Sequence, residues 1–456
     1  LLILENLNAI ILAAGEGTRM KSRLPKVLHK ICGKTMIERV LNTAFETGAE
    51  KICVVTGHKH EMVQEAVKDM GADFVVQEKQ LGTGHAVMQA EKFIDENKDV
   101  LVLYGDTPLI TSATLKKLVE FHRKEDNGVS IISAVVENSE GYGHIIRDKN
   151  GAFVKNVEYK DATTEEREVK EINSGIYVFK GKSLKYALSK INNNNAQGEY
   201  YLPDALEIIL SNGEKVNAMA TDDETEFFGV NNRIQLADVS HILRKKINEN
   251  HMQNGVTIIN PETTFIDDDV EIGMDTIIYP GCVIEGNTKI GEGCTVGPNC
   301  RLTDMEIAPD VTIQYTVAME STIGSGTKVG PFAYIRPNCH VGENIKVGDF
   351  VELKNSTIGN GTKISHLTYV GDTDAGEGIN FGCGTVTVNY DGKKKYRTTI
   401  EDDVFIGCNA NLVAPVTLKK GSYVAAGSTI TKEVPEDALA VARQRQINLD
   451  GWVKKH

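Results

Sequence analysis

The sequence predicts two folds in succession: an α/β domain built on a mostly parallel sheet, then a parallel β-helix. Three observations carry this reading. Apolar, strand-like runs alternate with helix-like segments up to about residue 230. Beyond residue 255 aliphatic residues return at every sixth position. That period then breaks between Gly371 and Ile400, and a break in a regular solenoid marks a place to look for chemistry.

In the first region the buried-strand candidates are 8–15, 51–57, 73–77, 99–106, 129–136 and 175–180. Helical patterns fall between several of them, as in TMIERVLNTAFETG, HEMVQEAVKDM, GHAVMQAEKF and TSATLKKLVEFHRKE. Ligands of such sheets bind at the C-terminal ends of the strands. Ile234, Val239, Ile242, Leu243 and Ile247 then follow a helical spacing and predict a connecting helix. The expected limits are 1–230 for the α/β domain, 231–252 for the linker helix and 253–456 for the β-helix.

In the second region the repeat runs Ile266, Ile272, Ile278, Ile284, Ile290, Val296, Leu302. It resumes after a slip at Val317, Ile323, Val329, Ile335, Val341, Val347 and Leu353. Ile358, Ile364 and Val370 form a third register, and Ile406, Leu412, Leu418, Val424 and Ile430 a fourth. Small residues stand two positions before many of these, including Thr276, Cys282, Cys294, Cys300 and Cys339. One aliphatic residue per six points into a triangular prism, with the small residue beside it near a corner. The stacked cysteines therefore read as packing and not as a metal site.

Bulk properties exclude several classes. The 456 residues suffice for two or three domains, and 41% hydrophobic with 25% charged residues is ordinary for a globular protein. A formal net charge of -13 argues against a general nucleic-acid or acidic-membrane binder, so phosphate ligands need local basic clusters. No run of about 18 apolar residues suggests a membrane helix. The opening LLILENLNAIILAAG reads as a core strand with a short lead and not as a signal peptide. None of the eight cysteines forms a CxxC pair, which suits reduced thiols and a cytoplasmic location.

Three motifs close strands of the first domain. In LAAGEGTRM, Gly15 and Gly17 would let backbone N–H groups close on phosphates, with Arg19 and the nearby Lys26 of LPK supplying charge. The bland reading is an ordinary strand–helix turn. In QLGTGHA the choice lies between a loop on a base or phosphate and a plain helix start, and His85 alone reads as structural. In LYGD, Asp106 stands where a carboxylate can hold magnesium on nucleotide phosphates, or can merely cap a turn. In the β-helix, Arg336, Lys354, His366, Tyr369, Asn380, Asn389, Tyr390 and Lys393–Lys395 interrupt the repeat. Singly each reads as a solvated face; their grouping around the break argues for a site.

LAAGEGTRM, LPKVLH, QLGTGHA, LYGD, YGHII, VEYKDA, EINSGIY and GVNNR occur in this order. Together with the hexapeptide domain they resemble the bifunctional N-acetylglucosamine-1-phosphate uridylyltransferase / glucosamine-1-phosphate N-acetyltransferase (GlmU) family over nearly the whole chain. The resemblance implies a Rossmann-like nucleotidyltransferase domain and a left-handed parallel β-helix. It also implies that the chain is an enzyme using UTP, acetyl-CoA and Mg²⁺, with glucosamine 1-phosphate and N-acetylglucosamine 1-phosphate as sugar substrates. A homotrimer is implied, with neither nucleic acid nor membrane as partner.

By that resemblance, Leu12, Ala13, Ala14, Gly15, Lys26, Gln77, Gly82, Thr83, Tyr104 and Gly105 contact the nucleotide. Gly143, Glu158 and Asn173 contact the sugar, and Asp106 with Asn231 holds the metal. Arg19 and Lys26 act on the phosphates. In the β-helix, His366 is the general base, and Arg336, Lys354 and Lys395 surround the sugar phosphate. Tyr369 and Asn380 contact the sugar. Asn389 borders both it and acetyl-CoA, which Tyr390, Cys408, Ala426 and Arg443 also meet.

Cys408 departs from the serine expected there, and a thiol is a weaker donor. A covalent role for it is unnecessary, because the amine can attack directly. Two other readings stay open at this stage: a nucleotidyltransferase with a purely architectural β-helix, and a non-catalytic scaffold. The first need not carry Lys354, His366, Tyr369, Asn380 and Asn389; the second need not carry Arg19, Lys26, Asp106 and Asn231. A zinc hydratase fits poorly, since the repeats offer only His340 and His366.

Overall fold

A computed structural model describes residues 5–137, 139–195, 197–221 and 223–455. The chain divides into two compact units, 1–243 and 244–456. The division falls inside the Arg233–Gln253 helix.

The N-terminal unit is built on a nine-stranded sheet. Its main path runs Val216–Ala220, Val129–Val135, Glu171–Lys180, Asp99–Tyr104, Leu7–Ala13, Lys51–Thr56, Asp73–Val76. All neighbours are parallel except Glu171–Lys180, which runs antiparallel to both strands beside it. Leu7–Ala13 is buried along its whole length, as expected of a central strand covered on both faces. Successive side chains alternate between two cores: Ala9, Ile11 and Ala13 join one, Ile10 and Leu12 the other. Helix Met36–Thr47 shows why the helices start and stop where they do. Thr35 and Glu38 form a capping box, Gly48 ends the helix at φ 101°, and Ile37, Val40, Leu41 and Ala44 supply the buried stripe.

Elements of this unit outside the expected segments include the two strands of the hairpin His144–Arg147/Phe153–Val157, the short helices Gly181–Leu188 and Asp204–Ser211, and the edge strand Val216–Ala220. The hairpin and the start of the second helix frame the site described below.

The C-terminal unit stacks three parallel sheets of 11, 10 and 9 short strands. Interior positions lie directly above one another, as in Ile284 over Leu302 and Ile290 over Ile307. The expected small slots are filled: Thr276, Cys282, Cys294, Cys300 and Cys339 are all buried. Burial pushes the Cys294 and Cys339 thiols up, and Cys294 Sγ donates to the Ala308 carbonyl at 3.3 Å.

Two details of the repeat differ from the sequence reading. Ile307 and Ile313 keep filling the interior through the supposed slip. The next slot belongs to Ala318, stacked on Leu302, while Val317 points outward. Steps of five replace steps of six there, as from Ile313 to Ala318 and from Ala318 to Ile323, so a count of six back from Ile323 lands on Val317, one residue early. The break between Gly371 and Ile400 is also narrower than expected. Ala375, Phe381 and Thr387 occupy interior slots, and only the segment from Asn389 to Arg397 leaves the coil. Alanine, phenylalanine and threonine hid those positions from an aliphatic period.

Candidate functional site

In the N-terminal unit two adjoining cavities, of about 630 and 430 Å³, open at the C-terminal ends of parallel strands. The first strand delivers Leu12 and Ala13 to the larger one, followed by Ala14 and Gly15. Gly17 turns the chain at φ +62°, and a Cβ there would lie 2.7 Å from Lys26 Cβ. The glycine therefore lets the Lys26 segment close against the loop.

Lys26 Nζ makes an ion pair with Asp106 and donates to Asn231 Oδ1 at 3.1 Å. Arg19 donates to the same oxygen at 2.9 Å. Asp106 follows the Asp99–Tyr104 strand, and Asn231 precedes the Arg233–Gln253 helix. Four residues singled out from distant motifs thus meet at one point. The carboxylate of Asp106 and the amide oxygen of Asn231 both face the Lys26 ammonium, and the amide oxygen also faces Arg19. These are hard oxygen donors suited to a small divalent ion that keeps waters and phosphate oxygens as its other ligands.

Gln77, buried, donates its amide to the Gly82 carbonyl at 3.1 Å. Gly82 has φ +104°, and a Cβ there would lie 2.5 Å from the Tyr200 carbonyl oxygen. Thr83 Oγ1 accepts from Leu202 N–H at 3.1 Å. Tyr104 borders both cavities, and burial with the Asp106 carboxylate nearby pushes its phenol well above the usual range, so it remains a neutral donor. Gly143, Glu158 and Asn173 converge on Asn156, which donates to Glu158 at 3.4 Å and accepts from Asn173 at 3.2 Å. A Cβ on Gly143 would crowd Asn156 and Glu158 at 2.9 and 3.0 Å. Burial pushes the Glu158 carboxyl up, with Asp161 adding repulsion.

Gly105 is the exception among the expected contacts. It lines neither cavity; a Cβ there would face Ile37, Val27 and Ala13 in the core. Its N–H donates to the Leu12 carbonyl at 2.9 Å, so it supports the loop from behind. The sequence reading also missed wall residues: Gln80, Tyr159, Asp161, Glu199 and Tyr201 in the larger cavity, Tyr142 and Ser174 in the smaller.

An acidic group lies next to this wall. Partial desolvation, although the residue as a whole is exposed, pushes the Asp204 carboxyl up to about 6, with Glu207, Glu158 and Asp161 adding repulsion. The folded chain binds this proton more tightly than the unfolded one, so the site costs stability as pH rises from 3.8 to about 6. Asp204→Asn should raise the melting temperature of the N-terminal unit by about 2–4 °C at pH 8. That is ~1 kcal/mol once the screening of this exposed position is allowed for. Calorimetry across pH should show the gain shrinking toward zero as pH falls to about 4.

In the C-terminal unit the singled-out residues gather on either side of the corner at Leu367. His366 Nδ1 and Asp349 Oδ1 lie 2.6 Å apart, and that hydrogen bond holds the Asp349 carboxyl below its usual range. The carboxylate fixes the ring with Nδ1 protonated and leaves Nε2 free to accept a proton. Lys354 pairs with Asp372 at 3.0 Å. Asn355 donates to Asp372 at 2.6 Å, and Asn389 donates to both Asp372 and the Tyr369 hydroxyl. Arg336 pairs with Glu352 at 3.0 Å. Lys354 beside it pulls the Lys395 ammonium below its usual value, and Arg336 adds to this. Three cations crowded this way favour an anionic guest. Asp349, Glu352 and Asp372 were not expected from the sequence, although each stands about one coil, 16–18 residues, from its partner.

The other residues expected here are more dispersed. Asn380 lies half-buried on the coil after His366, paired with Lys363 and Phe405. Tyr390 is exposed and donates to the Gly392 carbonyl at 2.6 Å. Cys408 and Ala426 are exposed on later coils and Arg443 is exposed beyond the last strand of the stack, and among the described residues no hydrogen bond joins their side chains to the His366 cluster. No helix of the described residues is long and apolar enough to cross a membrane.

Fold and sites together define a nucleotidyltransferase domain joined to a hexapeptide-repeat transferase domain. The nucleotidyl transferase family matches residues 8–229. The bacterial transferase hexapeptide family matches residues 269–304, 320–355 and 397–432, in keeping with a left-handed β-helix. The chain is 55% identical over 452 residues to the "Bifunctional protein GlmU" of Thermoanaerobacter pseudethanolicus, covering 99% of this chain and 98% of that one. Proteins of the same name from Caldanaerobacter subterraneus and Acetivibrio thermocellus are 54% and 53% identical, with the same coverage. The chain belongs to the GlmU family.

Proposed function

We propose that the two constellations divide two consecutive reactions between them. The C-terminal unit acetylates glucosamine 1-phosphate with acetyl-CoA. The N-terminal unit transfers UMP from UTP to the resulting N-acetylglucosamine 1-phosphate, giving UDP-N-acetylglucosamine, a precursor of cell-wall polysaccharides, and pyrophosphate. The observation that carries this is that each unit holds its own charge constellation: Arg19, Lys26, Asp106 and Asn231 in one, the His366–Asp349 pair with three cations in the other.

Uridylyl transfer needs no protein nucleophile, because a phosphate oxygen of the sugar phosphate attacks the α-phosphorus directly. The bond to the bridging oxygen breaks, and pyrophosphate leaves. The protein must align the two and neutralise charge. Backbone N–H groups of the Leu12–Gly15 loop, with Arg19 and Lys26, serve the phosphates. Gln77, Gly82 and Thr83 serve the base, and Gly143, Glu158 and Asn173 the sugar. Asp106 and Asn231 would hold Mg²⁺, which when bound supplies neutralisation of phosphate oxygens.

For acetyl transfer, Arg336, Lys354 and Lys395 take the sugar phosphate, with Tyr369 and Asn380 on the sugar. His366 Nε2 accepts the amine proton as nitrogen attacks the thioester carbonyl, and collapse of the tetrahedral oxyanion expels the CoA thiolate. Acetyl-CoA runs along Asn389, Tyr390, Cys408, Ala426 and Arg443, and the dispersal of the last three fits a long ligand. Asp349→Asn, which weakens the hold on the ring, should slow acetyl transfer about ten- to a thousandfold. A thiol-release assay checks this against an unchanged uridylyl rate.

A homotrimer completes this second site. One corner of the β-helix exposes Tyr315, Phe332, Phe350 and Leu367 directly beside His366, the first three rings spaced 5.4 Å apart, with Phe332 stacked on Phe350 and Tyr315 tilted. A neighbouring copy covering that column would also close the open side of the site. Free cysteines throughout fit a cytoplasmic enzyme.

The half-reactions test the assignment separately. Glucosamine 1-phosphate and acetyl-CoA should release free CoA; N-acetylglucosamine 1-phosphate, UTP and Mg²⁺ should release pyrophosphate. Pyrophosphate without CoA would leave the β-helix as architecture only.

A further inference from the structure

The helix that opens at Thr83 carries a histidine that the reaction does not use. His85 is half-buried against Tyr200, with ring centroids 6.1 Å apart. Its Nδ1 lies 3.0 Å from Gln77 Nε2, and its Nε2 lies 3.2 Å from Gln89 Nε2. Burial pulls the imidazole below its usual value and the Lys79 backbone offsets only part of this, so the ring is neutral. A neutral imidazole has one acceptor nitrogen, so only one of the two glutamines can donate to it.

The surroundings decide which. Gln77 is 3% exposed, and the same amide nitrogen also donates to the Gly82 carbonyl at 3.1 Å. Turning that amide would set its oxygen against a carbonyl oxygen and leave a buried N–H₂ unpaired. Gln89 Nε2 likewise donates to a carbonyl, that of His85, at 3.1 Å, but Gln89 is only half-buried, so turning its amide leaves the N–H₂ to solvent and presents its oxygen to the ring N–H. Nδ1 is therefore the acceptor, Nε2 carries the proton, and both hydrogens of the Gln77 amide are engaged. The one free polar group of Gln77, its oxygen, is left for the cavity that this residue lines.

We propose that His85 is a positioning residue for base selection: with the Gly82 carbonyl it locks Gln77 so that only an acceptor faces the nucleotide base. Uracil presents an N–H at ring position 3 and can donate to that oxygen. Cytosine presents a lone pair at the same position and is repelled. This rests on the reading that Gln77 contacts the base. Without His85 one of the two acceptors that hold the amide is gone, and the turned state, with its N–H₂ toward the cavity, is opposed by the Gly82 carbonyl alone and can serve cytosine.

The test is the ratio of kcat/KM for UTP over CTP in pyrophosphate release. His85→Leu, or His85→Ala should the larger side chain fail to fold, should lower that ratio at least about tenfold, with kcat/KM for CTP rising. A merely structural histidine would lower both nucleotides together. His85→Asn, whose oxygen stands in for Nδ1, should hold the ratio near the parent's. Gln77→Leu is the control for the underlying reading and should also collapse the ratio. A ratio within about twofold of the parent in His85→Leu, beside a collapsed ratio in Gln77→Leu, overturns the role of His85 alone. An unchanged ratio in Gln77→Leu shows that Gln77 does not read the base and overturns both.

Discussion

Asp106→Ala should lower uridylyl transfer by about 10²–10⁴-fold while leaving acetyl transfer at its original rate. The size of the effect follows from the double use of one carboxylate. Asp106 is the only acid in the ring formed with Arg19, Lys26 and Asn231, and it tethers Lys26 as well as offering an oxygen to a divalent ion. Without it, two cations face one neutral amide, and the Lys26 ammonium loses the partner that fixes its position. Nothing in the β-helix depends on this group, since the C-terminal unit has its own sheets and its own core. Pyrophosphate release and CoA release, measured on the same preparation, check both halves of the statement.

The converse holds for His366→Ala, expected to cut CoA release by about 10²–10⁴-fold with pyrophosphate release unchanged. The ring is exposed, and its hydrogen-bonded partner is Asp349, so its removal leaves no buried group unsatisfied. The fold should be kept and the loss should be chemical. Binding of the sugar phosphate by Arg336, Lys354 and Lys395 should persist. The defect should therefore fall on kcat more than on KM.

The two folds were legible to different degrees. The β-helix announces itself because an interior slot accepts almost only aliphatic side chains, and a period of six suits few other architectures. It misleads only where the slot is filled otherwise. Ala318, Phe381 and Thr387 do this, and they made one coil seem to slip and made a short excursion look like a long insertion. The α/β sheet was legible in its buried strands and largely illegible in its rim. The hairpin around Asn156 and the helix at Asp204 are too short for their few apolar residues to stand out from the surrounding sequence.

The same contrast holds for the sites. Basic and glycine-rich motifs point to Arg19, Lys26 and the Leu12–Gly15 loop, which the fold brings to two adjoining cavities. Acidic partners such as Asp349 and Asp372 escape a linear reading, because only the coil brings them beside His366 and Lys354. A coil length of 16–18 residues, once recognised, would have found them. Gly105 lies in the motif with Tyr104 and Asp106, and a Cβ there would face the core behind them.

Two independent sites joined by a free intermediate make the most direct claim to test. Given glucosamine 1-phosphate, acetyl-CoA, UTP and Mg²⁺, neither Asp106→Ala nor His366→Ala should form UDP-N-acetylglucosamine at a rate near the parent's. Mixed as separately purified proteins, they should restore it, because one supplies N-acetylglucosamine 1-phosphate and the other consumes it. Product formation in the mixture at close to the slower half-reaction's rate is the expected result. A mixture no more active than either variant alone, with both still folded, would contradict the account.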